Sequence, residues 1–183
     1  KLPSQMQGQY DLIILAVKQR ETHAATAFLK PFLKEDGCIV TVQNGLPEAE
    51  IAKVFGRDRV YGCTLSWSAE MVSPGIVRVT SETGFHLGLG AYGVGRRLDD
   101  IAPLFAHAGT LTVGNLMELR FAKLSVNAAF STLSALSGLT FYELARKHKK
   151  LVLALMREVF AVARAYGCEK LPQNGYDLFK VFE

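Results

Sequence analysis

The sequence predicts an α/β protein in which a mostly parallel sheet is followed by helices. In the first half of its 183 residues, apolar β-branched runs alternate with stretches of helical spacing, as expected where helices connect parallel strands. From Met117 onward only helical patterns are visible. We therefore expect an α/β domain over residues 1–115 and the start of an all-α domain over residues 116–183.

Three strands and two helices are predicted first. The continuous apolar run from Tyr10 to Val17 is typical of a parallel strand that is covered on both faces. Helical spacing predicts helices over Glu21 to Leu33 and Pro47 to Phe55, the second with a proline near its first turn. The second and third strands are predicted over Cys38 to Gln43 and Arg59 to Trp67.

The alternation changes after the third strand. A Ser-Pro-Gly turn at residues 73–75 precedes Ile76 to Thr80 and Phe85 to Leu89, two short runs that predict a meander or hairpin. A helix over Arg96 to His107 and a short strand over Leu111 to Val113 complete the predicted α/β domain.

The second half contains clear helix boundaries. Met117 to Gly138 is apolar at most positions, which is typical of a helix packed on nearly every side. Thr140 and Glu143 have the spacing of a capping box that starts a further helix. The last predicted helix, Leu151 to Tyr166, is closed by Gly167.

Composition excludes several classes of protein. Hydrophobic residues make up 49% and charged residues 21%, as in globular proteins. The net charge of +4 is mild, and the basic cluster Arg146 to Lys150 has no interleaved aromatic residues, so nucleic-acid binding is not expected. No apolar run approaches the length of a membrane span. Widely spaced cysteines indicate reduced thiols in a cytoplasmic protein, and the scattered histidines predict no metal site.

Lys123 and Asn127 form the main candidate site. Together with Ser131 they recur every four residues, so a helix would carry them as one polar stripe. A buried lysine destabilises a packed helix unless its charge is paired, so such a lysine is expected to have a partner or a functional role. An ammonium beside an amide suits a site that polarises, protonates and orients a carbonyl substrate. The alternative is a lysine that snorkels to the edge of the core, with Asn127 satisfied by backbone groups.

Two further polar residues follow predicted strands. Lys18 comes directly after the first strand, and Asn44 with Gly45 directly after the second. Open α/β sheets bind ligands beyond the carboxyl ends of their strands, so we expect both side chains in one cleft. A solvated loop lysine and an ordinary Asn-Gly turn are the alternatives.

A glycine-rich segment matches a dinucleotide-binding motif. Gly88 to Gly93 has the G-x-G-x-x-G spacing, but no acidic residue follows the next strand, at Val113 to Asn115. Its parent segment also has the pattern of a hairpin. We therefore interpret it as a glycine-rich turn.

Four segments together resemble the ketopantoate reductase family. They are DLIILAVK at residues 11–18, TVQNGL at 41–46, SWSAEMVSPGIVRVT at 66–80 and FAKLSVNAAFSTLSAL at 121–136. The resemblance implies a Rossmann-like, doubly wound domain that binds NADPH, followed by a helical substrate and dimerisation domain. It also implies reduction of an α-keto acid of the 2-dehydropantoate type to its 2-hydroxy acid, in pantothenate biosynthesis. The implied partners are the small keto acid and, as one option, a second copy of the chain.

The resemblance also implies roles for individual residues. Lys123 corresponds to the catalytic lysine and Asn127 to the substrate-binding asparagine, with Ser131 as a further substrate contact. The positions implied to line the nicotinamide side of the cleft are Lys18, Asn44 and Ala69.

The chain departs from the family pattern at several positions. Ser131 and Thr132 stand where the family usually has Asn-Pro, and Glu21 stands in place of a glutamine. Nothing before Tyr10 resembles the glycine-rich phosphate loop, and the chain stops at Glu183, before the family's later helices. We therefore expect an internal fragment that binds a dinucleotide poorly and is inactive alone. A related 3-hydroxyacid dehydrogenase and a non-catalytic paralogue or scaffold remain as alternatives.

Overall fold

The chain folds as two compact units. The computed structural model describes residues 5–80 and 84–182. The first unit comprises residues 1–116 and the second residues 117–183.

A five-stranded sheet organises the first unit. The strands of this unit are β1 (Tyr10–Leu15), β2 (Leu33–Thr41), β3 (Val60–Leu65), β4 (Ala69–Ser73), β5 (Ile76–Val79), β6 (His86–Ala91) and β7 (Thr110–Val113). The sheet order is β1-β2-β3-β6-β7, and every neighbouring pair except β3 and β6 is parallel. The predicted mostly parallel α/β fold is confirmed.

Helices cover both faces of this sheet. They are α1 (Thr22–Leu29), α2 (Glu48–Phe55) and α3 (Leu98–Ala106). Along β2, Ile39 and Val40 are fully buried on opposite faces, because successive strand residues point to opposite sides. The face of Ile39 packs against α2 and α1, and the face of Val40 packs against α3. The sheet is therefore doubly wound.

The helix predicted over Glu21 to Leu33 is shorter than expected. Its α-helical part ends at Leu29, and Lys30–Phe32 form a 3-10 turn that contains Pro31. Proline lacks the backbone N–H that a continuing helix would need. Leu33 is already the first residue of β2, so this strand begins five residues earlier than predicted.

The first strand is less covered than its apolar run predicts. Ile13 and Leu15 are buried, whereas Ile14 is 54% exposed and Tyr10 is 40% exposed. Among residues 5–80 and 84–182, β1 is paired on one side only, with β2, and the expectation of burial on both faces was wrong. Hydrophobic content alone does not separate an edge strand from a central one.

The predicted pairing of Ile76 to Thr80 with Phe85 to Leu89 is also wrong. β5 instead pairs with β4 across the Ser-Pro-Gly turn, in which Gly75 has a φ of +81°. The later run forms β6, which joins the main sheet antiparallel to β3 and parallel to β7. A local pattern predicted the strands, but their partners depend on the whole sheet.

The glycine-rich segment Gly88 to Gly93 lies mostly inside β6 rather than in a turn. β6, α3 and β7 form a βαβ unit, which corrects the hairpin interpretation. Protein atoms fill the space beside two of the glycines. A Cβ atom at Gly90 would lie 2.7 Å from the Gly114 carbonyl oxygen, and one at Gly93 would lie 2.3 Å from Asp58 Oδ1. Close packing therefore accounts for these glycines.

The second unit is mainly helical. Its helices are α4 (Leu116–Val126), α5 (Thr132–Ser137), α6 (Phe141–Lys147), α7 (Lys149–Ala165) and α8 (Leu178–Phe182). A short hairpin of β8 (Pro172–Gln173) and β9 (Tyr176–Asp177) interrupts them. The expectation of helices alone overlooked the Asn-Gly pair at its tip, where Asn174 and Gly175 have φ angles of +50° and +86°. This pair is a strong hairpin signal.

Within residues 5–80 and 84–182, no single helix has the length and apolar character to cross a membrane. One bent pair, Leu116–Ser137 with Phe141–Lys147, meets both criteria across an angle of 96°.

The predicted capping box at the start of α6 is confirmed. The Thr140 hydroxyl accepts from the Glu143 backbone N–H, and the Glu143 carboxylate accepts from the Thr140 N–H. We expect Thr140→Ala to lower the free energy of unfolding by about 1 kcal/mol, because one helix-end donor loses its partner. Urea denaturation measures this change. Glu143→Gln keeps the box and is the control, and equal midpoints for Thr140→Ala and the unmodified chain would contradict the prediction.

Candidate functional site

The structure brings the loops of Lys18 and Asn44 together. β1 and β2 are adjacent and parallel, with Leu15 opposite Thr41, so both strands end at the same edge of the sheet. The Val42 N–H donates to the Leu15 carbonyl at 3.0 Å and continues the pairing into the loops. Lys18 and Asn44 follow directly, and both side chains are exposed. A cation and an amide are thus exposed in the loops after two adjacent strands, at the strand ends where such sheets bind ligands.

A buried amide network lies beneath these two loops. The Gln43 side chain is 6% exposed. Its Nε2 donates to the Val17 carbonyl at 2.7 Å and to the Thr22 Oγ1 at 2.9 Å, and its Oε1 accepts from the Thr41 hydroxyl at 3.0 Å. Gln43 belongs to the family-like segment at residues 41–46, but the sequence pattern predicted no role for it. The available signal was a glutamine directly after an apolar strand, but its partners become visible only in the fold.

The Asn44-Gly45 turn is held in one conformation. Gly45 has a φ of +80°, which favours glycine. A Cβ atom at this position would lie 3.0 Å from the Gln19 Oε1. Gln19 begins the 3-10 turn that follows Lys18, so the two loops also approach each other above the sheet.

Ala69, the third residue implied to line the cofactor side, begins β4 and is exposed. Its hairpin has two different faces. Ala69, Met71, Val77 and Val79 share one apolar face, because Ala69 pairs with Val79 and Met71 with Val77. An ion pair of 3.0 Å between Arg78 and Glu70 occupies the other.

In the second unit, Lys123 lies in the last turn of α4 and is half-buried. Phe121 and Ala122 beside it in sequence are buried. Burial lowers the pKa of Lys123 below its ordinary value, because removing water disfavours the charged ammonium. A lysine with a lowered pKa gives up its proton more readily, which is the property a general acid needs near neutral pH.

The helix that carries Lys123 is not α-helical throughout. Residues Asn127–Ser131 form a π-helical turn between α4 and α5, so the expectation of one regular helix was wrong over these five residues. Single π-helical turns inside α-helices occur frequently at functional sites.

The π-helical turn changes how the predicted stripe is aligned. In a regular α-helix each step of four residues overshoots a full turn by about 40°, so Ser131 would be rotated by roughly 80° from Lys123. A π-helical turn contains more residues, so four of them fall short of a full turn and the rotation is reversed. The rotation of Ser131 about the helix axis, measured from Lys123, is therefore smaller than in a regular α-helix. The structure leaves Asn127 half-buried and Ser131 exposed.

Other polar residues near Lys123 in sequence have structural partners. The Glu118 carboxylate accepts from the backbone N–H groups of Glu169 and Lys170, at 3.2 and 3.4 Å. The Ser125 hydroxyl is fully buried and donates to the Ala122 carbonyl at 2.8 Å. The Glu118 contacts join α4 to the segment after α7, whereas the Ser125 hydrogen bond lies within α4 itself.

The fold is a Rossmann-type α/β unit followed by a helical unit. Residues 1–92 match the family described as ketopantoate reductase PanE/ApbA, and residues 115–181 match its C-terminal part. The chain belongs to the ketopantoate reductase PanE/ApbA family.

Individual relatives agree with this assignment. The 2-dehydropantoate 2-reductase of Nostoc sp. is 29% identical over 168 residues, which are 86% of this chain and 52% of that protein. The chain spans about half the length of the curated relatives it matches.

Solved structures share the same fold. The 2-dehydropantoate 2-reductase of Geobacter metallireducens has a TM-score of 0.80 and 30% identity, over 92% of this chain and 58% of that chain. D-mandelate dehydrogenase in complex with NADH has a TM-score of 0.78 and 23% identity, over 88% of this chain and 56% of that chain. At this lower identity the likeness concerns the fold alone.

The lowered pKa of Lys123 leads to a prediction about stability. We expect Lys123→Met to unfold at a higher urea concentration than the unmodified chain at pH 7, because the buried ammonium is replaced by an apolar side chain of similar length. The unfolded state binds the lysine proton more tightly than the folded state. The unmodified chain should therefore gain stability relative to the variant as pH rises from the lowered pKa towards the ordinary value of 10.5.

Lys150→Met is the matched control, since Lys150 is an exposed lysine in α7. Replacing this exposed side chain should change the urea midpoint little. A Lys123→Met chain that is less stable at pH 7 would show that the ammonium stabilises the fold, contrary to this prediction.

Proposed function

We propose that the complete protein reduces an α-keto acid of the 2-dehydropantoate type to the 2-hydroxy acid with NADPH, in the route to pantothenate. The observation that carries this proposal is Lys123, a half-buried lysine whose pKa is lowered, on the helix of a ketopantoate reductase family member. Burial makes this ammonium a better acid than an exposed lysine.

The first unit offers residues that fit a nicotinamide dinucleotide. Lys18 and Asn44 expose a cation and an amide at the carboxyl ends of adjacent parallel strands. A cation suits a phosphate, and an amide can both donate to and accept from ribose or carboxamide groups. We assign Lys18, Asn44 and Ala69 to this cofactor. When bound, NADPH supplies the hydride that is added to the keto carbon.

The second unit offers the groups that act on the substrate. The Lys123 ammonium donates a hydrogen bond to the keto oxygen and transfers its proton to that oxygen as the carbon becomes tetrahedral. The Asn127 amide orients the substrate by hydrogen bonds to its polar groups, and the Ser131 hydroxyl contacts its polar end. The keto acid thus gains one hydride and one proton and becomes the 2-hydroxy acid.

The direct test is turnover of the complete protein with a small panel of α-keto acids, each assayed with NADPH and with NADH. Oxidation of the cofactor that depends on 2-dehydropantoate supports the proposal. Turnover of another α-keto acid alone would correct the substrate, and faster turnover with NADH would correct the cofactor. Absence of turnover with the whole panel would reject the proposed activity.

Substitution of Lys123 tests the proposed acid. We expect Lys123→Ala to lower kcat by roughly 100-fold or more, the usual scale for a general acid. The affinity for NADPH should change little, because the ammonium acts on the keto oxygen. Asn127→Ala should mainly raise the KM for the keto acid, because its proposed role is orientation. Steady-state kinetics separates these effects.

Lys150→Ala provides the matched control for this experiment, as an exposed lysine elsewhere in the second unit. Its kinetics should equal those of the unmodified enzyme. A folded Lys123→Ala enzyme with normal kcat would assign the lysine a purely structural position and leave the reaction without its proposed acid.

The pH dependence of kcat gives a further prediction. The protonated lysine is the active form, and burial lowers the pKa of Lys123 below 10.5, so kcat should fall as pH rises through an apparent pKa below that value. Lys123→Arg should be slower and should lose this alkaline decline, because a guanidinium does not deprotonate in this range. A pH profile of kcat for both enzymes measures the effect. An identical decline in the arginine variant would assign the titration to another group.

A further inference from the structure

Gln43 is buried at the point where three segments of the first unit meet. Its side chain bonds to Val17, which directly precedes Lys18, and to Thr22, the first residue of α1. It also bonds to Thr41, the last residue of β2. Asn44 is the next residue in the chain. One amide therefore joins the Val17 carbonyl before Lys18 and the Thr22 side chain after it to the residue that precedes Asn44.

Both the nitrogen and the oxygen of the Gln43 side-chain amide form hydrogen bonds. Nε2 donates twice, at 2.7 and 2.9 Å, and Oε1 accepts once at 3.0 Å. Thr22 and Thr41 are 2% and 0% exposed, so water cannot readily replace the amide as their partner. A buried polar group that loses its hydrogen-bond partner destabilises the fold. The side chains of the network are therefore held in the arrangement that keeps all of these hydrogen bonds.

Lys18 and Asn44 are not buried in a hydrogen-bond network like that of Gln43. Both side chains are exposed, so apolar packing does not fix where they lie. Their separation depends on the backbone of the two loops. The Val42 to Leu15 hydrogen bond extends the strand pairing by one residue, and beyond that point the Gln43 amide adds a buried hydrogen bond between the second loop and the Val17 carbonyl of the first.

We propose that Gln43 is a positioning residue that holds Lys18 and Asn44 at the separation required for cofactor binding, an inference that rests on the proposed function. Gln43 itself is buried and does not contact the cofactor. It acts by fixing the Val17 carbonyl and the start of α1 against the end of β2. Loss of the amide widens the range of loop positions and weakens cofactor binding, while the acid in the second unit is unchanged.

The test uses variants that remove single hydrogen-bonding groups from the complete protein. Gln43→Met keeps the length of the side chain and removes the amide. Thr22→Val removes the hydroxyl that accepts from Gln43, whereas Thr22→Ser keeps it and serves as the conservative rescue. Thr26→Val is the matched control, because the Thr26 hydroxyl is fully buried and bonds to the carbonyls of Thr22 and His23 inside α1.

Calorimetric titration with NADPH is the first measurement. We expect Gln43→Met to raise the Kd by about tenfold, because all three hydrogen bonds of the amide are lost and the two loops are less well positioned, with kcat at saturating cofactor within about twofold of the unmodified enzyme. Thr22→Val should raise the Kd in the same direction, and Thr22→Ser and Thr26→Val should not. A lowered unfolding midpoint with an unchanged Kd in Gln43→Met would overturn the inference. If Gln43→Met does not fold, Thr22→Val and Thr22→Ser provide the test. A Kd for NADPH that is raised in Thr22→Val and not in Thr22→Ser supports the inference, and an unchanged Kd in Thr22→Val overturns it.

Amide hydrogen exchange is the second measurement and does not depend on activity. In Gln43→Met, exchange should become faster in residues 16–21 and 42–46 and remain unchanged in Thr26→Val. Unchanged exchange in both loops would overturn the inference. If the unmodified protein binds neither NADPH nor NADH, the proposed function fails separately, and the exchange result still decides whether Gln43 fixes the two loops.

Discussion

The parallel pairing of β1 with β2 is the constraint on which the candidate site of the first unit depends. Parallel strands end at the same edge of a sheet, so Lys18 and Asn44 become neighbours although 26 positions separate them in the chain. An antiparallel β2 would place Asn44 at the opposite edge. Gly37 permits the close approach of the two strands, because a Cβ atom there would lie 2.9 Å from the Tyr10 carbonyl oxygen.

The sequence predicted the parts of the fold that depend on local chemistry. β-branched runs identified β2 and β3, Pro47 identified the start of α2, and Thr140 with Glu143 identified the start of α6. Two errors were local, at the early end of α1 and at the Asn-Gly hairpin, and the others concern non-local choices. β5 pairs with β4 and β6 pairs with β3, and no local pattern distinguishes these partners from each other. The exposure of Ile14 likewise follows from the position of β1 in the sheet order.

In the candidate site, too, local features were predictable from the sequence and contacts between distant segments were not. The position of Lys18 and Asn44 after the ends of adjacent strands was predictable, because parallel strands end at the same side of a sheet, and their role in binding stays a prediction. The network of Gln43 was not, since its partners come from three segments that meet only in the folded chain. The spacing of Lys123 and Asn127 was visible in the sequence, but the π-helical turn was not, because it is a pattern of backbone hydrogen bonds with no side-chain signature.

Burial has different consequences for the candidate residues of the two units. In the first, buried hydrogen bonds of Gln43 lie beneath the loops that expose Lys18 and Asn44. In the second, Lys123 is half-buried, and this burial disfavours its charge. The desolvation that makes the ammonium a better acid also destabilises the fold, because both effects arise from the same lowered pKa. A change that hydrates Lys123 would therefore stabilise the helix and weaken the acid together, so a helix selected for stability alone would not retain this lysine.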